Sequence, residues 1–255
     1  MITVAIANQK GGVGKTTLSL ALAAAGAQRN LSVLVVDADP QANATDTLVP
    51  DFDPETAPTL YDALDGGGRG AAEGAIIPTQ WGHVSLVPGD LQSAKHDEWG
   101  IAAEQRLRIA LDGVDAPYAL VIVDCPRALG ALTAAAMVYA GNVLVVAEPT
   151  KDSLRGVSLV LDTADAITRA YRPDLRTVGV IVNRSGRTKA RSVRAEQLRE
   201  SLGELVWVPG LPEWSAIARV TETGEQLQIG AAGRAGEAAW IISRYLDRLI
   251  KETSA

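Results

Sequence analysis

One segment constrains this chain more than any other. An apolar run, Thr3–Ala7, leads through Asn8-Gln9-Lys10 into Gly11-Gly12-Val13-Gly14-Lys15-Thr16-Thr17, and a helical pattern follows at once. Glycines let the backbone turn tightly, so that successive N–H groups point inward at anionic oxygens. The following helix adds the positive end of its dipole. In this arrangement Lys15 reaches terminal phosphates and the Thr16 hydroxyl is placed to ligate magnesium. A glycine-rich turn that merely precedes a helix is the bland alternative. Strand, glycines, Lys-Thr pair and helix occur together in register, so the segment reads as a P-loop for ATP and magnesium.

A P-loop sits at the carboxyl ends of the strands of a parallel sheet, and the rest of the chain has the matching alternation. Strands are expected at Thr3–Ala7, Val33–Val36, Val84–Val87, Leu120–Val123, Val143–Ala147 and Thr177–Val182. Several are apolar at nearly every position, as in strands buried on both faces. Helical patterns fall at Thr16–Gln28, Glu104–Leu111, Leu129–Ala140, Ser153–Ala170, Ser192–Leu202 and Glu237–Lys251. The expected fold is therefore α/β: a doubly wound, mostly parallel sheet with helices on both faces. With 255 residues and no visible linker, the whole chain, 1–255, is expected to be a single P-loop ATPase domain. The Gly-rich stretch Asp65–Gly74, with Gly66-Gly67-Gly68 in a row, reads as a flexible surface loop, and Pro50–Pro58 as a surface connection.

Two strands end in acids. Val121-Ile122-Val123 runs into Asp124, and Val33–Val36 runs into Asp37-Ala38-Asp39-Pro40. Ligands bind at the carboxyl ends of strands in such sheets. Beside a P-loop, these carboxylates can hold or orient magnesium, position the attacking water, or order the loop. A lone strand-end Asp would otherwise be read as a cap.

These residues resemble the ParA/Soj-type partition ATPases of the ParA/MinD superfamily. Lys10-Gly11-Gly12-Val13-Gly14-Lys15-Thr16-Thr17 is a deviant Walker A motif with a second lysine at its head. Asp37-Ala38-Asp39-Pro40-Gln41-Ala42-Asn43-Ala44-Thr45, Asp124-Cys125-Pro126, Asn183-Arg184 and Leu211-Pro212 extend the likeness over nearly the whole chain. The resemblance implies an ATP-driven sandwich homodimer in which Lys10 reaches the partner's nucleotide while Lys15 and Thr16 serve their own. It implies that Asp39 positions the hydrolytic water, that Asp37 and Asp124 organise the magnesium shell, and that adenine contacts fall near Asn183 and Pro212. It also implies non-specific double-stranded DNA binding in the ATP state and a ParB-type activator. The chain departs from the pattern at Arg127, where the family usually has a second proline. No helix-turn-helix domain is expected ahead of the first strand.

The net charge is −6, so composition gives no reason to expect nucleic acid, and a DNA site must be a local patch. Arg184, Arg187, Lys189, Arg191 and Arg194 supply one, with Arg199 beyond them. Arg187, Arg191 and Arg194 share a helical face if the helix begins early enough. A solvated surface helix is the alternative. A MinD-like membrane-associated ATPase and a ParA-like positioner of a protein cargo remain as other functional readings. The tail bears on the first of these. Trp240, Ile241, Tyr245, Leu246, Leu249 and Ile250 form an apolar face, but the opposite face mixes both charges, so the helix reads as core-packing. The single cysteine, Cys125, excludes an intrachain disulfide and a cysteine cluster held within one chain, and is expected to be buried. No signal peptide or spanning segment is visible, the single cysteine points to a reducing cytoplasm, and the resemblance implies a bacterial one with association to the nucleoid. His83, His96, Trp81, Trp99, Trp207 and Trp214 are scattered and read as packing or surface residues.

Overall fold

The strand that precedes the P-loop, β1 (Ile2–Ala7), is central to an eight-stranded sheet in the computed structural model, which describes residues 1–98, 102–186 and 188–253. It is flanked by β5 (Leu120–Asp124) and β6 (Asn142–Ala147). Beyond β5 lie β2 (Val33–Asp37), β4 (Val84–Val87) and the short β3 (Ile77–Pro78). Beyond β6 lie β7 (Arg176–Ser185) and β8 (Val206–Pro212). Every neighbouring pair is parallel except β3 against β4.

Parallel neighbours require crossovers, and the crossovers cover both faces. Alternate strand residues enter different cores. Val4, Ile6, Val33, Val35 and Ile122 pack beneath α1 (Lys15–Ala27), α2 (Asn43–Leu48), α8 (Ser215–Glu222) and α9 (Gly233–Thr253). Ala5, Ala7, Leu34, Val36 and Val123 pack beneath α3 (Leu60–Asp65), α4 (Arg106–Leu111), α5 (Ala131–Ala140), α6 (Ser153–Ala170) and α7 (Lys189–Leu202). This is the doubly wound α/β architecture expected from the sequence. α1 packs closely on the sheet, burying Leu18, Leu20 and Leu22 together with the small residues Ala21, Ala23–Ala25 and Gly26. At Gly26, a Cβ would sit only 3.0 Å from Val33 Cγ2.

The differences from expectation are local. The Glu104 helix opens with a 3₁₀ turn, Ala103–Gln105, before α4. β8 was not foreseen, because Pro209, Gly210 and Pro212 interrupt its apolar run, and it pairs with β7 through register shifts. α2, α3, α8 and β3 are likewise additions, too short to show a period. Within the expected loop Asp65–Gly74, Gly66–Gly68 is exposed, but Ala71–Ala75 forms a 3₁₀ turn that buries Ala72 and Ala75, so the stretch is in part packed. α9 packs on the core through Ile242, Tyr245, Leu246 and Leu249, each buried aliphatic contributing about 1.5–3 kcal/mol. Trp240 departs from the expected apolar face: it is 51% exposed, with Arg244 over its ring. Trp81 and Trp207 are buried and donate to the carbonyls of Gly224 and Val178. Trp214 packs partly buried against the same core. His83 is exposed; Trp99 and the His96 side chain lie outside the described residues.

Candidate active site

β1 ends at the carboxyl edge of the sheet, and a fixed polar frame holds the loop that follows. Asn8 is buried and donates its amide to the Val146 carbonyl, while its Oδ1 accepts the Lys10 N–H at 2.9 Å. Gly12 and Gly14 take φ of 73° and 97°, the left-handed region in which a Cβ is strained. From the other side Asn183, on β7, donates Nδ2 to the Val13 carbonyl at 2.7 Å. A side chain at Gly14 would collide with that same amide. No acidic residue occupies the first turn of α1, so the positive helix end is left for an anion.

The carboxylates meet behind the loop. β2 and β5 are in register, which sets Asp37 opposite Asp124. Asp124 accepts from Thr16 Oγ1 at 2.6 Å, and Ser19 Oγ lies 3.0 Å from its other oxygen. Asp37 Oδ2 accepts both the N–H and the hydroxyl of Thr45 at 2.8 Å, and its Oδ1 accepts the Asp39 N–H at 3.3 Å. Its visible contacts thus order the loop that carries Asp39. Asp39 in turn lines the cleft with Lys15 and Thr16, and its Oδ1 accepts the Gln41 N–H. Ser19 and Thr45 had been given no role. Ser19 falls one turn after Lys15 and Thr16 on α1, a spacing that is visible in sequence.

Burial sets the electrostatics. It raises the pKa of both Asp37 and Asp124 above the ordinary carboxylate range. Their mutual repulsion adds to the rise at Asp37, and hydrogen bonds from Thr45 and Thr16 oppose it. Burial also lowers the Lys15 pKa, opposed chiefly by Asp124 and then Asp39. Such a site gains from an added divalent cation, which would offset two desolvated carboxylates. Among the described residues no three His, Cys, Asp or Glu side chains form a metal cage. Magnesium at phosphate sites takes most of its ligands from water and phosphate oxygens, so Thr16 with Asp124 behind it fits that chemistry. Cys125 is buried, and burial raises its thiol pKa, as suits a packing role.

The cleft in front of the loop has a volume of about 700 Å³. A second cavity of about 370 Å³ adjoins it at Gly14 and Thr17 and is lined by Asn183, Pro212, Trp214 and Ile217. Asn183 and Pro212 therefore stand together at one end of the cleft, with Asp39 and Lys15 at the other.

The basic residues divide into two groups. Arg184 lines both cavities and lies 3.7 Å from Glu148. Arg191 pairs with Glu213 at 2.8 Å and with Glu148 at 3.3 Å. Lys10 reaches the same Glu148 at 3.5 Å. Lys189 and Arg194 instead line a groove of about 580 Å³ together with Lys151, which the sequence reading had passed over. α7 begins at Lys189 with Thr188 as its cap, so its helical face starts after Arg187, which lies outside the described residues. The expected single stripe is thus a groove plus an ion-pair network, because the acids that hold Arg184 and Arg191 come from distant segments.

The family described as AAA domain matches residues 1–177 of the chain. The chromosome partitioning protein ParA of Caulobacter vibrioides is 32% identical over 260 residues, covering 97% of this chain and 96% of that protein. The chromosome-partitioning ATPase Soj of Thermus thermophilus is 35% identical over 228 residues, covering 89% and 85%. Among solved structures, cobyrinic acid a,c-diamide synthase from Mycobacterium smegmatis with bound ATP analog and magnesium superimposes with a TM-score of 0.81. It is 29% identical and covers 98% of this chain and 94% of that one.

Proposed function

The chain belongs to the ParA/Soj family of partition ATPases, and from that premise we propose that it is an ATP-dependent dimeric switch that moves DNA. The observation that carries this reading is the lysine-headed phosphate loop set in register with Asp37 and Asp124. In this reading Gly11–Thr17 wraps the phosphates, Lys15 neutralises them, and Thr16 with Asp124 holds magnesium, the Asp37-ordered loop completing its shell. Magnesium, when bound, supplies charge that stabilises the phosphates during transfer. Asp39 orients the attacking water, and the apolar end at Pro212 with Asn183 receives the adenine.

Lys10 takes its part when a second subunit meets the first. A cation supplied across the interface stabilises developing phosphate charge only in the dimer, so assembly and hydrolysis are coupled. Lys189, Arg194 and Lys151 contact DNA phosphates without reading sequence, and pairing two grooves in the dimer adds avidity. A ParB-type partner accelerates hydrolysis and release, and the cargo is a plasmid or a chromosome in a bacterial cytoplasm. α9 favours this over a membrane-positioning role, since its apolar face is occupied by the core. Among the described residues no helix is long and apolar enough to cross a membrane.

The deciding experiment compares binding to non-specific duplex DNA and to anionic liposomes, each with ADP and with ATP. ATP-dependent DNA binding is expected. Liposome binding without DNA binding overturns the partition reading.

A further inference from the structure

Arg127 is the side chain on which the rest of the site leaves an open question. It follows Asp124 by three positions at the carboxyl edge of β5, and it is exposed. Its aliphatic stem and guanidinium lie over the start of the phosphate loop. A Cβ built on Gly11 would be 2.9 Å from Arg127 Cδ, 3.3 Å from Nε and 3.4 Å from Nη1. The absence of a side chain at Gly11 is what lets the guanidinium settle there.

The cleft holds three cationic side chains, Lys15, Arg127 and Arg184. Lys15 is buried and faces Asp124 and Asp39. Arg184 lies in ion-pair range of Glu148. Arg127, among the described residues, has no hydrogen-bond or ion-pair partner. A guanidinium at the mouth of a phosphate cleft with its donors unspent is suited to bidentate recognition of a phosphoryl group. Its place along the cleft says which one. Arg127 and Asp39 line the larger cavity and are absent from the lining of the adjoining one, where Pro212, Trp214 and Ile217 gather. A nucleotide whose base takes the apolar end therefore brings its terminal phosphate toward Arg127.

The geometry points to Arg127 as a catalytic residue in cis, contacting the terminal phosphate of ATP from within its own subunit. This rests on the ATPase reading above and deepens it. In the step it assists, the water oxygen bonds to the terminal phosphorus and the bond from that phosphorus to the bridging oxygen breaks. The electron pair stays on the bridging oxygen of ADP, and the proton of water passes to solvent or phosphate. Arg127 balances charge on the transferring group, a duty that Lys10 can perform only from a partner. The protein thus keeps part of its phosphate chemistry when monomeric.

The test uses the full chain and its Arg127→Ala and Arg127→Lys variants. Affinities for magnesium–ADP and for a non-hydrolysable ATP analogue are measured by fluorescence titration, beside turnover across a range of protein concentrations. Arg127→Ala is expected to weaken the analogue about tenfold while ADP stays within about twofold, since a single phosphate contact is lost. Its turnover at low protein concentration falls about a hundredfold, the scale for removing one charge-stabilising donor. Arg127→Lys recovers part of the discrimination. Equal losses for both nucleotides, or no loss for either, overturn the inference while leaving the ATPase reading intact. A parent protein that binds neither nucleotide overturns both.

Discussion

Lys10 Nζ lies 3.5 Å from Glu148 Oε2, and this one carboxylate, only 10% exposed, also lies within 4 Å of Arg184 and Arg191. The cation proposed to act on a partner's nucleotide and an arginine of the basic helix therefore share a counter-ion within the isolated chain. Lys10 must leave Glu148 to reach across an interface. Glu148→Gln removes the charge shared by Lys10, Arg184 and Arg191, leaving Arg191 paired with Glu213 and the basic face more positive by one charge. Its affinity for non-specific DNA in the ATP state is expected to rise a few-fold at low salt. The gain should fade near physiological ionic strength, where charges beyond about 8 Å are screened. Anisotropy titrations at two salt concentrations measure this, and weaker binding by the variant at low salt contradicts it.

Asp39 lines the cleft without being needed to shape it, since Asp37 and Thr45 order the loop. Asp39→Ala should bind ATP and dimerise with at most a few-fold change while turnover drops by about 10²–10⁴, the range for a general acid or base. Single-turnover hydrolysis with size-exclusion chromatography separates the two effects. Turnover at the parent rate would remove Asp39 from the water-positioning role.

The groove brings the three cations Lys151, Lys189 and Arg194 together. Each phosphate contact adds about 0.9 to the slope of log affinity against log salt. Replacing all three by alanine should flatten that slope by roughly 2 to 3 and weaken every DNA sequence alike. An unchanged slope places the DNA contacts elsewhere.

Asn183 ties β7 to the loop through the Val13 carbonyl. Asn183→Ala leaves that carbonyl without its donor, and a lost buried hydrogen bond costs about 1 kcal/mol. Affinity for ADP and ATP should therefore fall together, by about fivefold to tenfold. Isothermal titration with both nucleotides checks it. A loss confined to ATP speaks against an anchoring role.

In the metal-free protein, Asp37 and Asp124 hold their protons to about pH 8 and about pH 6, burial being the first cause. In the unfolded chain each ionises near its ordinary value of about 4. The folded state thus binds more protons between these limits, and stability falls as pH rises through that window. Melting temperature without magnesium or nucleotide is expected to be higher at pH 5 than at pH 8.5. Adding magnesium–ATP should narrow the difference. A melting temperature that rises with pH across this range contradicts the assignment.

The interior was legible where one physical cause acts alone. Val33–Val36 and Leu120–Val123 are apolar throughout because both faces are covered, and their β-branched content separates them from the alanine-rich apolar runs of α1 and α5. The phosphate loop was legible because its chemistry is contiguous. Val206–Pro212 was not, because Pro209 and Pro212 erase the strand signal that register-shifted pairing with β7 restores. The basic segment was half legible. Spacing announces the charges of Arg184–Arg194 but says nothing of Glu148 and Glu213, which arrive from other elements to claim Arg184 and Arg191. Lys151 was missed for the same reason, since it joins Lys189 and Arg194 only through the fold.

The place of β1 has a consequence for how the protein is made. It precedes both of its partners by more than a hundred residues and is central in the sheet, pairing Ile2 with Leu120 and Ala5 with Val143. A growing chain exposes the phosphate loop before those strands emerge, so the loop at first has no walls, and it has no Asn183 until β7 follows. Such distant pairings form late. The phosphate site is therefore incomplete until β7 has joined the sheet, and nucleotide binding is gained with the last of these pairings rather than with the loop itself.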